Sequence, residues 1–469
     1  MRVIVQFTDL NESLKTNITS HIRVNWPNVT IDTGEDQTWR NGAPKAFLVI
    51  GSKRQAAVKE TWPLKETVGV GDCSTEEVLF LVDAKLGKLS KSNILGADRK
   101  ISESSPVSRR DFLFGAFHRS TQSNDAPVVL PDSCEARFGC RKCVDACPAP
   151  GALIIESKSV VVSSEHCIRC GLCAGVCPVA AIQIPGMSEE VYRGLLTAIQ
   201  NSPAPKKTLV ITCNEQSVPQ LPWMDIEQVA GVGAVGTRHL ALAANSSISE
   251  VIVYCPDGLC AGKENAKRAA NLVSSIANET TPVVSYVEGK EGVAQIERIH
   301  NSARKRERAL TPTATPWTDY VSSLKSISTE TTQATDLGFT DIQIADSCTL
   351  CNACAESCPH QALAIQEGEL LFHQEKCTGC GYCQQICPER SITLSEKAGA
   401  LMLGTRTVYK DEMIKCAKCN APYVSAKMLS KVSETLEADK QTLRLCPSCR
   451  RAEVYQNIFG NTNTNSTKP

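Results

Sequence analysis

Four runs of closely spaced cysteines restrict this chain more than any other feature. Cys348, Cys351, Cys354 and Cys358 form one run, and Cys377, Cys380, Cys383 and Cys387 the next; both follow C-x2-C-x2-C-x3-C and both close on a proline. Cys167, Cys170, Cys173 and Cys177 repeat the pattern. Cys134, Cys140, Cys143 and Cys147 keep its later spacings but open with a five-residue gap, Glu135 to Gly139. A run of this kind wraps a short loop around three corners of a compact inorganic centre and turns its N–H groups toward the sulfurs. The fourth thiolate, before the proline, comes from across a pseudo-twofold axis.

This is the spacing of bacterial two-cluster iron–sulfur modules, in which the fourth cysteine of each run ligates the other cluster. Four [4Fe–4S] clusters are therefore expected. Their ligand sets are Cys348, Cys351, Cys354 with Cys387; Cys377, Cys380, Cys383 with Cys358; Cys134, Cys140, Cys143 with Cys177; and Cys167, Cys170, Cys173 with Cys147. Crossed ligation ties the two halves of a module together, so cluster binding becomes folding energy. The modules are an internal repeat: residues 163–184 align with 373–394.

A disulfide scaffold is the competing use of 24 cysteines. It suits small secreted domains, and this chain has 469 residues, enough for several cores. Net charge is zero, with 50 basic and 50 acidic residues, so nothing calls for nucleic acid or an anionic membrane. No apolar run is long enough for a transmembrane helix, and the N-terminus lacks the apolar core of a signal peptide. A cytoplasmic location is expected, since reduced thiols need a reducing compartment. No Ser/His/Asp set, H-E-x-x-H or P-loop is present. His166 and His373 lie near cysteine runs without making a ligand pattern.

The expected fold class is a multidomain α/β chain with two bacterial-type 2[4Fe–4S] α+β ferredoxin modules, small α/β domains and a C-terminal four-cysteine, zinc-ribbon-like knuckle. Residues 1–90 read as a small α/β domain with strands at 2–7, 45–52 and 77–87, and Cys73 as an ordinary turn or core residue. Residues 91–130 form a linker. The first ferredoxin module spans 131–186 and an α/β domain 187–310, whose strand–helix alternation implies a parallel sheet. A polar linker covers 311–340, the second module 341–398, the four-cysteine element 410–458 and a disordered tail 459–469. In the four-cysteine element, two C-x-x-C knuckles, Cys416 with Cys419 and Cys446 with Cys449, read as a site for structural Zn2+, although the 26 residues between them exceed the common range; a rubredoxin-type iron is the rival.

Three further cysteines stand apart. Cys213 and Cys255 end adjacent strand candidates and Cys260 follows closely. They suit either buried small side chains or a partial metal site in the crevice at the strand ends. Gly231-Val-Gly-Ala-Val-Gly236 matches the letters of a dinucleotide fingerprint, but it lacks a convincing preceding strand and the acidic ribose partner, and reads as a turn before a helix. Ser108-Arg109-Arg110-Asp111-Phe112-Leu113 looks like a twin-arginine signal but lies after a whole domain, so export is not expected. It resembles the opening of the cytoplasmic ferredoxin of periplasmic nitrate reductase operons, which implies a docking segment.

Residues 130–455 resemble the iron–sulfur cluster-binding protein found beside bacterial formate dehydrogenase genes. The two modules, the Leu221-Pro-Trp-Met-Asp-Ile-Glu-Gln-Val-Ala-Gly-Val-Gly segment and the terminal KCAKCNAPYVSAKML…LCPSC knuckle carry the likeness. The middle domain is also similar to the small iron–sulfur subunit of methyl-viologen-reducing hydrogenases, whose [2Fe–2S] cluster needs more cysteines than the three present here. The resemblance implies a non-catalytic carrier of single electrons between redox partner proteins, a dehydrogenase (of formate) and an acceptor. An accessory or assembly factor for a molybdenum-containing dehydrogenase is the alternative.

Overall fold

The computed structural model describes residues 3–8, 10, 12–26, 29, 46–51, 65–69, 74–91, 126–184, 186–214, 217–276, 283–305, 315–328, 339–398, 404–435 and 443–459. Cys73, the Ser108–Leu113 motif, nearly all of the 91–130 linker and the tail from residue 460 lie outside the described residues. The chain divides into two units, Met1–Arg137 with Arg141–Ala334, and Phe138–Cys140 with Thr335–Pro469.

In the first unit, β1 (Val3–Thr8), β2 (Ala46–Gly51) and β3 (Lys65–Gly69) form a parallel sheet in that order, with α1 (Glu12–Asn25) in the first crossover. The strand expected over 77–87 is instead α2, Thr75–Lys91. Two local signals decide this. The Ser74 N–H donates to Glu77 Oε2 at 2.7 Å and the Glu77 N–H to Ser74 Oγ at 3.4 Å, a capping box. The run that follows is rich in Leu and Lys, good helix formers, and buries Val78, Leu81, Val82 and Leu86 at helical intervals.

The first cysteine segment is built from β4 (Val128–Val129), α3 (Lys142–Ala146), the hairpin β5 (Leu153–Glu156) and β6 (Ser159–Val162), α4 (Leu172–Gly175) and β7 (Ile182–Gln183). β4 pairs antiparallel with β7, and β5 with β6. Leu153, Val160, Ala181 and Ile182 pack in one core with Cys134, Cys143 and Cys173.

Next comes α5 (Glu189–Asn201), capped by Ser188, whose side chain accepts from the Val191 N–H. The sheet domain follows: β8 (Thr208–Thr212), β9 (Met224–Gln228), α6 (Thr237–Ala244), β10 (Glu250–Cys255), α7 (Lys263–Ile276), β11 (Val283–Glu288) and α8 (Gly292–Ser302). Its order is β11-β10-β8-β9 and every pair is parallel. β8 and β10 are buried throughout, as helices on both faces of a parallel sheet require. The stretch expected to be a flexible linker contains α9 (Pro316–Ile327), which packs on α6 and buries Trp317, Tyr320 and Leu324. Its start carries a Thr315 cap with proline at the first turn.

α2 packs against α5. Beside it Lys85 and Lys88 reach the buried Glu227 of β9, and Lys85 Nζ also lies 3.1 Å from Asp225 Oδ1.

The second unit repeats the cysteine plan. β12 (Phe339–Ile344) pairs antiparallel with β15 (Ile392–Ala398), and between them lie α10 (Ala353–Glu356), the hairpin β13 (Leu363–Gln366) and β14 (Glu369–His373), and α11 (Tyr382–Ile386). The two hairpins share one turn: Ser157 and Lys158 in the first, Glu367 and Gly368 in the second, all with positive φ. β16 (Thr405–Lys410) adds to β14. The chain then forms the hairpin β17 (Met413–Lys415) and β18 (Pro422–Ser425), followed by α12 (Ala426–Thr435) and α13 (Pro447–Phe459).

Candidate metal centres

The cysteine runs share a backbone device. The residues on either side of the middle cysteine are left-handed in three of them: Arg169 and Gly171 around Cys170, Leu350 and Asn352 around Cys351, Gly379 and Gly381 around Cys380. Two left-handed residues in a row of five bend the chain into a cup whose three thiols face inward. The irregular run departs from this: Gly139 before Cys140 has φ +95, whereas Arg141 after it has φ −129.

In the second unit, one cavity is lined by Cys348, Cys351, Cys354 and Cys387. Another is lined by Cys358, Cys377, Cys380 and Cys383. Each cavity thus takes three thiols from one run and the fourth from the other. Three of the fourth cysteines are held by the residue four positions on, whereas Cys147 donates to the Ala149 carbonyl at 3.5 Å. Cys358 accepts the Ala362 N–H at 3.2 Å, Cys177 the Ala181 N–H at 3.2 Å, and Cys387 Sγ lies 3.3 Å from Ser391 Oγ.

In the first unit, Cys147 neighbours Cys170, as does Cys167, while Cys173 neighbours Cys170, Cys143 and Cys167. Cys140 falls in the short stretch grouped with the second unit. Burial, then the neighbouring thiols, pushes Cys173, Cys354 and Cys383 up to about 12. Such crowded, buried thiols become thiolates when a cationic centre stands between them, so the donor set fits a sulfur-ligated metal cofactor.

Among the described residues, two groups draw three or more sulfurs within 4.8 Å of one another: Cys416, Cys419, Cys446 and Cys449, and Cys213, Cys255 and Cys260. In the first group, Cys419 Sγ and Cys446 Sγ are 3.7 Å apart. A tetrahedral ion with metal–sulfur bonds of about 2.3 Å sets its thiolates about 3.8 Å apart. The Cys446 and Lys418 N–H groups donate to Cys416 Sγ at 3.3 and 3.4 Å. Such backbone bonds, Cys446's first, hold the Cys416 thiol down at about 6. This element is tied to a cluster loop: Ser425 Oγ donates to the Thr349 carbonyl at 2.6 Å, and Lys427 Nζ to the Asp346 carbonyl at 2.7 Å.

The glycine stretch 231–236 is a turn entering α6, and it has a packing role that the sequence did not disclose. A Cβ on Gly231 or Gly233 would lie 2.7 Å from the Cys170 carbonyl oxygen, and one on Gly236 would overlap the Gly175 carbonyl. These glycines let the sheet domain press its backbone against the Cys167–Cys173 loop. Nearby, buried Arg238 pairs with Glu189; burial pushes the Cys177 thiol up, opposed first by the Ile182 and Ala181 N–H bonds and then by the Arg238 charge. His166 bonds Ser163 Oγ at 2.9 Å and His373 bonds Thr405 Oγ1 at 2.6 Å, so both occupy turn and strand-end positions.

Two stretches, residues 126–178 and 340–388, resemble a known family. Both match the 4Fe-4S dicluster domain. The relatives each match a short stretch of this chain. The formate dehydrogenase iron-sulfur subunit of Haemophilus influenzae is 39% identical over 75 residues, 15% of this chain and 23% of that protein. One subunit of the ion-translocating oxidoreductase complex of Methanosarcina acetivorans is 43% identical over 68 residues, 14% of this chain and 25% of that protein. ABC transporter E family member 1 of Arabidopsis thaliana is 37% identical over 72 residues, 14% of this chain and 12% of that protein. The chain thus spans a quarter or less of the length of these relatives. It carries repeated [4Fe–4S] domains in a mixed α/β chain, and electron transfer is the chemistry such clusters supply. No helix among the described residues is long and apolar enough to cross a membrane.

Proposed function

We propose that this protein binds four [4Fe–4S] clusters through the crossed cysteine sets given above, holds Zn2+ with Cys416, Cys419, Cys446 and Cys449, and passes single electrons between a dehydrogenase and an acceptor protein in the cytoplasm. Formate dehydrogenase is the first candidate donor, because one relative is named as an iron-sulfur subunit of such an enzyme and the sequence resembles a protein of formate dehydrogenase gene clusters. The observation that carries the reading is the lining of the two cavities in the second unit, each drawing its fourth thiol from the opposite run. Within each module Cys354 neighbours Cys383, and Cys143 neighbours Cys173. The two centres of a module are thereby held on a short path.

The chain's own groups set the electronic environment. The Ala181 and Ala362 N–H bonds to sulfur favour added negative charge, and Arg238 beside Cys177 does the same for its cluster. An assembly factor would use the four-cysteine element as a docking piece, but the Ser425 and Lys427 bonds fit better with a brace for the Cys348–Cys351 loop.

The test is anaerobic. The purified chain is mixed with formate dehydrogenase and formate, and bleaching of the visible cluster absorbance is timed. Reduction at the enzyme's turnover rate, slowed in Cys380→Ser, is expected. Reduction by dithionite but not by formate would remove formate dehydrogenase as donor, and a colourless folded chain would end the carrier reading.

A further inference from the structure

We propose that Cys213, Cys255 and Cys260 bind one thiophilic divalent cation of the zinc class through three thiolates, leaving a fourth coordination position for water or an incoming ligand. Their sulfurs all lie within 4.8 Å of one another, and Cys213 Sγ and Cys260 Sγ are 3.4 Å apart. Those separations bracket the edge of about 3.8 Å that a single tetrahedral ion imposes on its thiolates. A two-iron cluster needs two thiolates on each iron, and this group offers three.

The fold assembles the site from separate places in the chain. β8 and β10 are neighbouring parallel strands; Cys213 follows the last residue of β8 and Cys255 is the last of β10. This is the carboxyl edge of the sheet, where open α/β sheets bind their ligands. Cys260 is returned to that edge by a tight turn. The Gly258 N–H donates to the Cys255 carbonyl at 3.3 Å with Gly258 at φ +62, and the Lys263 N–H donates to the Cys260 carbonyl at 3.0 Å. Filling the core would account for Cys255, which is wholly buried. It does not account for Cys213 and Cys260, which are only half-buried, or for three thiols converging at one point. Leu259, beside Cys260, is 86% exposed, so the turn that carries this ligand lies at the surface. On binding, the ion replaces the thiol protons, which leave to solvent. Three protein ligands are the mark of an open site, whereas structural zinc sites close with four.

The experiment uses the full-length protein, reconstituted anaerobically with iron and sulfide, equilibrated with zinc and desalted. Zinc and iron per chain are measured for wild type, Cys213→Ser, Cys260→Ser, Cys419→Ser and the Cys260→Ser/Cys419→Ser double variant. Cys213→Ser and Cys260→Ser are each expected to hold one zinc fewer than wild type at unchanged iron, with the loss in Cys260→Ser adding to that in Cys419→Ser. In unmutated protein, zinc is expected to slow maleimide labelling of Cys213 and Cys260, read by peptide mass. That measurement stands even if a variant misfolds. Equal zinc in wild type and both variants, loss of iron in place of zinc, an intact Cys213–Cys260 disulfide in the anaerobic protein, or labelling indifferent to zinc would each overturn the proposal.

Discussion

Gly171 and Gly381 occupy the same place in two cysteine runs, directly after the middle cysteine, and both are left-handed, with φ +76 and +85. Replacing either by alanine puts a Cβ into a conformation that costs about 1–2 kcal/mol. The surroundings then separate them. A Cβ on Gly381 would meet only Gln385 Nε2, at 4.0 Å, an ordinary contact. A Cβ on Gly171 would lie 2.6 Å from Ala234 Cβ and 2.8 Å from the Ala234 backbone nitrogen, so backbone must move, adding about 1–3 kcal/mol of overpacking. Gly381→Ala should therefore cost about 1–2 kcal/mol and Gly171→Ala about 2–5 kcal/mol. The difference corresponds to roughly 5- to 150-fold in the equilibrium for opening the loop. Because iron–sulfur proteins unfold irreversibly, the readout is the fastest phase of cluster release to a chelator at fixed low urea under anaerobic conditions. That rate follows the opening equilibrium when the loop recloses quickly. Gly381→Asn is an internal control: Asn352 already holds this conformation in another run, at φ +68, so asparagine should be milder than alanine. If Gly381→Ala releases its cluster as fast as Gly171→Ala, or no faster than wild type, the reasoning fails.

Three other outcomes are expected. Burial, aided by Lys206, holds the His300 imidazole down at about 4, against its ordinary 6.5. The unfolded chain then binds the proton first, so stability falls as pH drops from about 6.5 to about 4 and levels off below. At pH 5 the loss is about 2 kcal/mol, and urea unfolding of the sheet domain at pH 7 and 5 should show it in wild type and not in His300→Gln. Glu227→Gln takes from Lys85 and Lys88 the buried carboxylate they share, leaving Asp225 on Lys85 alone, and should cost about 3–5 kcal/mol in the same unfolding assay. Methionine at all three positions, with leucine in place of Asp225, the other carboxylate on Lys85, should recover much of it. Crossed ligation predicts that Cys348→Ala/Cys387→Ala loses the iron of one cluster, about four atoms, as each single variant does; loss of about eight would show that the two cysteines serve different clusters.

What the sequence alone could determine was the local and periodic part. Cysteine spacing with a following proline announced the repeated [4Fe–4S] domains, because three of a cluster's four corners are reached within seven to ten residues of chain and leave their signature there. Strand–helix alternation announced the parallel sheet, because a fully buried strand must be apolar at every position, as β8 and β10 are. Where short-range signals competed, periodicity misled: residues 77–87 are apolar enough for a strand, but the Ser74–Glu77 box and the burial of Lys85 and Lys88 against Glu227 make them helical. The same holds for α9, hidden in a polar stretch until Trp317 and Tyr320 find the face of α6. For the three cysteines outside the repeated runs and the C-terminal element, tertiary structure alone decided whether they meet. Cys213 and Cys260 lie 47 positions apart, and only the parallel pairing of β8 with β10 brings their sulfurs to 3.4 Å. Likewise the glycines at 231, 233 and 236 carry no sign of their purpose until the Cys170 and Gly175 carbonyls stand where side chains would have been. Contacts between distant segments depend on how whole elements stack, and a linear pattern records only the face that each element buries.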